Sequence, residues 1–99
     1  MCEFKIIKKN DGSQILEDIV ILSYTEDNQL IFKDVMGMGE ILKSALIVDV
    51  NTLNQTSIVL EHPLVRDFVG IVERFNNKTI SKSDIEKFQE QLEELKENL

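Results

Sequence analysis

The sequence predicts an α+β protein in which a small antiparallel β-barrel of five to seven short strands is followed by a two-helix C-terminal extension. Two observations predict this class. Residues 1–62 contain short β-prone runs separated by turn residues, and from Pro63 onward the apolar residues recur at three- and four-residue steps. We therefore predict a barrel over 1–62 and a helical hairpin over 63–99 that packs on the barrel or lies at a dimer interface. A chain of 99 residues suits one domain with a short extension.

The strand predictions depend on alternation and on turn chemistry. Cys2–Lys8 alternates apolar and charged residues and stops at the turn Asn10-Asp11-Gly12, where positive φ is tolerated. Ile15–Tyr24 is either one bent strand or two short ones. The remaining predicted strands, in chain order, are Leu30–Val35, Ile41–Val50 as one long buried strand, and Thr56–Glu61. The turns between them are Glu26–Asn28, Gly37–Gly39 and Asn51–Asn54.

Two amphipathic helices are predicted for the last third of the chain. Pro63 suits a first helical turn, and Asn76-Asn77 ends the first helix. Ser83, three residues before Glu86, predicts a capping box at the start of the second helix. The apolar stripe of the second helix consists of Ile85, Phe88, Leu92, Leu95 and Leu99. A hairpin over the barrel explains these stripes, and a coiled-coil seam with a second chain is the alternative.

Composition disfavours several classes of protein. The net charge of −7 disfavours a nucleic-acid partner, because such binders neutralise phosphates with Lys and Arg. No apolar run is long enough to span a bilayer, and the start Met-Cys-Glu-Phe-Lys does not resemble a secretory leader. The single cysteine excludes an intramolecular disulfide, so we expect a cytoplasmic protein without a membrane contact. Motifs typical of catalysis are missing from the sequence, so we do not expect an enzyme.

Several short elements of residues 1–62 together resemble the CooT family of small nickel-binding accessory proteins. They are Met1-Cys2 opening into a strand, Asp11-Gly12, Glu17-Asp18-Ile19-Val20, Gly39-Glu40, Val48-Asp49-Val50 and Ile58-Val59-Leu60-Glu61. The resemblance implies a small β-barrel, a homodimer, and Ni(II) held between subunits by Cys2, with a nickel enzyme as client. Members of the family were long labelled as predicted RNA-binding proteins. The helical segment from Pro63 departs from the short family pattern.

The position of Cys2 gives it donors that an internal cysteine lacks. If Met1 is retained, its amine, the Cys2 amide nitrogen and the Cys2 thiolate form two fused chelate rings in one plane. If Met1 is removed, the amine and thiolate of Cys2 form a bidentate pair, and two chains supply two nitrogens and two sulfurs. Planar nitrogen and sulfur coordination suits Ni(II), with Cu(II) as a competitor. The alternative is that Cys2 is a small apolar residue of the first strand.

Other candidate residues have ordinary structural explanations. His62, the only histidine, is a candidate ligand or a surface and capping residue. Met36 and Met38 offer two thioethers for Cu(I), or belong to a flexible turn with one Met buried. The acids Glu17, Asp18 and Glu40 are candidate acceptors beside a metal ligand, or solvated turn residues.

The sequence thus predicts a cytoplasmic, homodimeric, nickel-binding accessory protein with Cys2 and Met1 as the metal residues. The alternative is a small-barrel RNA-binding or protein-interaction module without a metal. A basic sheet face bearing aromatic residues would favour RNA, and the only basic cluster is Lys5, Lys8 and Lys9.

Overall fold

A computed structural model describes residues 3–99 and has the predicted α+β class, with seven strands and two helices in that range. The strands are β1 Phe4–Lys8, β2 Ser13–Ile19, β3 Ile21–Tyr24, β4 Leu30–Lys33, β5 Gly39–Leu42, β6 Ala45–Asn51 and β7 Thr56–Glu61. The helices are α1 Pro63–Asn76 and α2 Lys82–Glu97. The chain divides into two compact units, Met1–Arg66 and Asp67–Leu99, which are described separately.

The strands form two open sheets. One has the order β2-β1-β7-β6 and the other the order β3-β4-β5. Over residues 3–99 these sheets do not close on one another, so the predicted barrel is not confirmed. The pairing of β1 with β7 is parallel, with Ile6 opposite Ser57, so the expectation of wholly antiparallel pairing is wrong. Parallel pairing joins segments that are far apart in the sequence, so no local turn residue predicts it.

The break between the two sheets lies between β2 and β3. Asp18 adopts a left-handed φ of 58°, which an Asp tolerates better than most residues, and the β1–β2 register shifts twice nearby. Ile15–Tyr24 is therefore two strands, the second of the two alternatives that the sequence offers. Between the sheets lies one apolar core of buried side chains, formed by Ile6, Ile19, Leu30, Phe32, Ala45 and Val59.

Tyr24 links the two sheets by hydrogen bonds. Its hydroxyl donates to the Ala45 carbonyl over 2.9 Å and accepts from the Ile47 N–H over 3.1 Å. Both partners belong to β6, the edge strand of the larger sheet. The hydroxyl thus satisfies two backbone groups that the end of a sheet would otherwise leave unpaired.

We expect Tyr24→Phe to lower the free energy of unfolding by about 1–3 kcal/mol, because it leaves two partly buried backbone groups without a partner while keeping the ring. Urea denaturation measures the change. Ser23→Ala is the control, because Ser23 is exposed and its hydroxyl makes only a 3.5 Å contact with a neighbouring carbonyl. Equal stability of Tyr24→Phe and the parent would show that this link between the sheets carries no energy.

The predicted long strand Ile41–Val50 is wrong in two respects. It is interrupted at Lys43-Ser44, giving β5 and β6, and β6 is largely exposed after Ala45: Leu46 is 45% exposed and Val50 is 51% exposed. Ser44 leaves the strand because its hydroxyl donates to the His62 carbonyl and accepts from the Arg66 N–H at 3.0 Å. The apolar run Ile41–Val50 therefore forms two edge strands. An apolar composition does not by itself show that a strand is buried.

The turn between β4 and β5 is held by a single carboxylate. Asp34 Oδ1 accepts hydrogen bonds from the N–H groups of Met36 at 2.9 Å and Met38 at 3.1 Å. Gly37 has a positive φ of 81°, a backbone conformation that glycine adopts more easily than residues with a side chain. Met36 and Met38 are 81% and 72% exposed, so the expectation that one of them is buried is wrong. The hydrogen bonds of Asp34, which hold the backbone of this turn, were not predicted from the sequence.

The second helix begins earlier than the sequence analysis predicts. Its N-cap is Ser81, and the capping box joins Ser81 to Asp84 rather than Ser83 to Glu86. Two overlapping matches to the same motif occur within six residues, and the sequence does not rank them. The Ser81 N–H donates to the Asp84 carboxylate; this bond, with the Ser81 hydroxyl and the nearby Arg74 guanidinium, lowers the pKa of Asp84 below its ordinary value of 3.8.

We expect α2 to lose helical content as the pH falls below the ordinary pKa of an aspartate, 3.8. The pKa of Asp84 is lower in the folded state, so its stabilising effect is complete above the ordinary pKa and is lost as the pH falls through the folded value. Circular dichroism of the parent and Asp84→Asn measures this effect. Glu90→Gln is the matched control on the same helix. An identical acid transition in the parent and Asp84→Asn would contradict the assignment.

Candidate metal centre

The proposed metal residues Met1 and Cys2 lie outside the described residues, so the surroundings of the site are built from Glu3 onward. The chain enters β1 at Phe4, and β1 is an inner strand, paired on one side with β2 and on the other with β7. Lys5 donates its N–H to the Gln55 carbonyl at 2.9 Å, and Phe4 pairs with Ile19. Two ladders therefore fix the backbone within three residues of Cys2.

An apolar groove lies at the start of β1. Its volume is about 210 Å³, and its lining residues are Phe4, Ile19, Val20, Leu22 and Val50. They come from β1, β2, the link after β2, β3 and β6, so both sheets contribute to one groove. Ile19 is buried, whereas Val50 is half exposed. Sequence analysis did not find this groove, because it depends on the contact between the two sheets.

The described residues nearest Cys2 in the sequence carry charges of both signs, because Glu3 and Lys5 are both exposed. Glu3 and Asp18 are both exposed, and they are next to the paired residues Phe4 and Ile19. At the other end of the strand, Lys8 Nζ lies 3.1 Å from Glu61 Oε1, so the charge of Lys8 is partly balanced. At the N-terminal end of β1, Glu3 and Asp18 attract cations and Lys5 opposes them.

His62 caps the start of α1, which is one of the two roles that the sequence analysis gave it. Its Nδ1 accepts from the Leu64 N–H at 3.1 Å, and its carbonyl accepts from the Val65 N–H at 3.1 Å. These bonds satisfy the first free N–H groups of α1. With Nδ1 engaged, only Nε2 of this imidazole is free for another partner.

The other candidate residues lie on two parts of the fold, the β4–β5 region and strand β2. Met36 and Met38 lie in the turn between β4 and β5, and Glu40 is exposed on β5. Glu17 is exposed on β2 beside Asp18. Across residues 3–99, no group of three or more His, Cys, Asp and Glu side chains is placed to hold a metal ion. None of the helices in that range is long and apolar enough to cross a membrane.

A second cavity, of about 230 Å³, lies between the two helices within residues 67–99. Its wall carries both signs of charge: Asp67, Arg74, Asp84 and Lys87, with Ile71 and Phe88 between them. Arg74 Nε is 3.4 Å from Asp84 Oδ2, although this nitrogen makes no hydrogen bond. The cavity therefore contains a weak ion pair rather than a set of groups converging on one ligand.

Comparison with known proteins assigns no family to the chain. No family model matches it, and no curated protein sequence is significantly similar to it. The similarity to the CooT family therefore depends on the sequence elements of residues 1–62 alone.

Proposed function

We propose that this chain is a cytoplasmic nickel-binding accessory protein of the CooT type, with Ni(II) held by Cys2 and the Met1 amine at a homodimer interface. The observation that carries the proposal is the position of Cys2, the only cysteine, next to the strand that opens a CooT-like segment. The structure adds support around that position. The backbone is fixed from Phe4 onward, the nearest described acids are exposed, and an apolar groove adjoins the strand.

The chemistry of the proposed site follows from its donors. In a protein that starts at Met1, the terminal amine, the Cys2 amide nitrogen and the Cys2 thiolate supply up to three donors from one chain. A fourth donor comes from the thiolate of a second copy, because a two-fold axis presents the same residue twice. Mixed nitrogen and sulfur donors suit Ni(II), and such a site releases protons when it loads.

The surface around the groove suits a second copy. Val50 and Val48, on the edge strand β6, are 51% and 41% exposed, and Val50 also lines the groove beside Phe4. Exposed apolar side chains grouped beside a groove are typical of interaction surfaces. Burying them between two copies would bring the start of β1 in each copy towards the axis. A nickel enzyme that receives the metal is the proposed client.

We expect one Ni(II) per two chains, with binding that strengthens from about pH 6 to about 8, because the metal displaces protons from a thiol near 8.5 and an amine near 8. Calorimetric titration at several pH values, with absorption in the thiolate-to-nickel region, measures both. One nickel per chain, or affinity independent of pH, would contradict a thiolate site shared by two copies.

A further inference from the structure

Strand β6 contains one extra residue relative to its partner β7. Ile47 lies opposite Val59 of β7. The next pair is Asp49 opposite Ile58, so Val48 is the extra residue. One extra residue in one strand of an antiparallel pair is a β-bulge, and it reverses the face on which the later side chains of that strand lie. The bulge therefore decides which residues at the end of β6 face the apolar core.

Beyond the bulge, Val50 faces the core side of its sheet. It lies opposite Ser57, which also lies opposite Ile6 of β1. Paired residues of neighbouring strands point to the same face of a sheet. Ser57 and Ile6 are both fully buried, so their common face is the core face. Val50 accordingly lines the groove beside Phe4.

Without the bulge, Asp49 would take the place of Val50. If the pairs continued in step from Ile47, Asp49 would lie opposite Ser57 and Val50 would lie on the other face. A carboxylate would then face a groove with apolar walls, and moving an unpaired charge into such surroundings costs free energy. The bulge thus exchanges an acidic residue for an apolar one at a single position of the groove.

A buried hydroxyl holds the bulge. The side chain of Ser57 donates to the Asp49 carbonyl over 3.0 Å, and Ser57 is fully buried on the inner strand β7. A bulge interrupts the ladder of backbone hydrogen bonds, and polar groups taken from water need a partner. The hydroxyl supplies that partner from the face on which the core lies, so it stabilises the bulged register.

We propose that Ser57 is a positioning residue that makes the groove selective for apolar groups. By holding the bulge, it turns Val50 rather than Asp49 towards the groove. The use of this selectivity rests on the proposed function, in which the groove adjoins the contact with a second copy. With Asp49 in the groove, each copy would bring a carboxylate to that contact, and like charges repel each other.

Nuclear magnetic resonance of the metal-free full chain in EDTA shows which side chain faces the groove. We expect nuclear Overhauser effects between the Val50 methyl groups and the side chain of Phe4 or Leu22, the lining residues nearest in kind to an apolar partner. We expect none from the β-protons of Asp49 to these residues. Contacts from Asp49 in place of Val50 would overturn the proposal, and this measurement needs no variant that has to fold.

Deletion of Val48 separates the positioning role of Ser57 from a general packing role. The shortened strand is expected to pair regularly, with the Asp49 carbonyl bonded within the ladder. The reason is that Ile47 turns its N–H towards Tyr24 and away from β7, so in regular pairing the residue after it turns towards β7. The hydroxyl then has no bulge to hold.

Thermal unfolding of the metal-free chains measures this coupling. In the full chain, Ser57→Ala is expected to lower the melting temperature by about 5 °C or more, because the Asp49 carbonyl loses its partner. In the chain without Val48, the same substitution is expected to lower it by less than about 2 °C. Equal shifts in the two backgrounds would show that Ser57 acts by packing alone and would overturn the proposal.

These measurements distinguish the bulge from the metal site. None of them uses nickel, so a chain that fails to bind nickel can still show the expected contacts and the expected coupling. Conversely, a groove that faces Asp49 would overturn the role of Ser57 while leaving the nickel titration unchanged.

Discussion

Replacing Cys2 with Ser is expected to lower the affinity for Ni(II) by several orders of magnitude. The serine hydroxyl stays protonated at neutral pH, whereas a thiol titrates near pH 8.5 and the metal displaces its proton easily. The substitution removes two sulfur donors at once if the site is shared by two copies. Competition with a chromophoric chelator measures the affinity over the required range.

Three matched variants identify the donors. Cys2→Ala is expected to behave as Cys2→Ser does, since both lack the thiolate. His62→Ala is expected to bind nickel like the parent, because the imidazole caps α1 through Nδ1. Acetylation of the N-terminus should weaken binding while leaving the thiol intact. Nickel affinity of Cys2→Ser equal to that of the parent would move the site elsewhere in the chain.

Gly39→Ala is expected to destabilise the β-sheets severely. An added Cβ at this position would lie 1.6 Å from the Phe32 carbonyl oxygen and 2.6 Å from its carbon. Both atoms belong to the backbone of β4, and Phe32 is fully buried, so neither can move without disturbing the core. We expect a loss of about 4 kcal/mol or more, which for a chain of this size means an unfolded or aggregated protein.

Gly12→Ala is the matched control. Gly12 has a left-handed φ of 76°, but an added Cβ meets nothing within 4 Å. Only the conformational cost applies there, about 1–2 kcal/mol. Urea denaturation measures the free energy of unfolding of both variants. The difference between them separates the cost of the steric clash at Gly39 from the cost of backbone conformation at Gly12. A Gly39→Ala protein as stable as Gly12→Ala would show that β4 and β5 are not as tightly apposed as described.

Local sequence signals predicted most of the elements. The turns at Gly12 and Asn28 coincide with positive φ, and the helical spacing after Pro63 gave α1 correctly. These signals work because alternation, turn residues and amphipathic spacing act over a few neighbours. The sequence analysis placed the capping box of α2 two residues too late, because the motif fits at two overlapping positions.

Contacts between distant segments were not predictable in the same way. The parallel pairing of Ile6 with Ser57 joins segments about 50 residues apart in the sequence. The bridging role of Tyr24 had only one signal, a lone tyrosine in an apolar strand whose hydroxyl needs a partner when buried. Leu46 and Val50 read as core residues although they are exposed.

The candidate metal site was identified from the position of Cys2 in the sequence, and the groove beside Phe4 was found only in the fold. The groove lies at the start of β1, which begins two residues after Cys2 in the sequence. A pattern of donors can be read from a sequence, whereas the surface that would bring two copies together is built from β1, β2, β3 and β6.

X-ray absorption spectroscopy of the nickel-loaded protein tests the central claim most directly, because it reports the atoms bound to the metal. We expect two sulfur scatterers per nickel in the parent, with nitrogen completing the site, and no sulfur in Cys2→Ser. A nickel surrounded by oxygen and nitrogen alone in the parent would contradict the account.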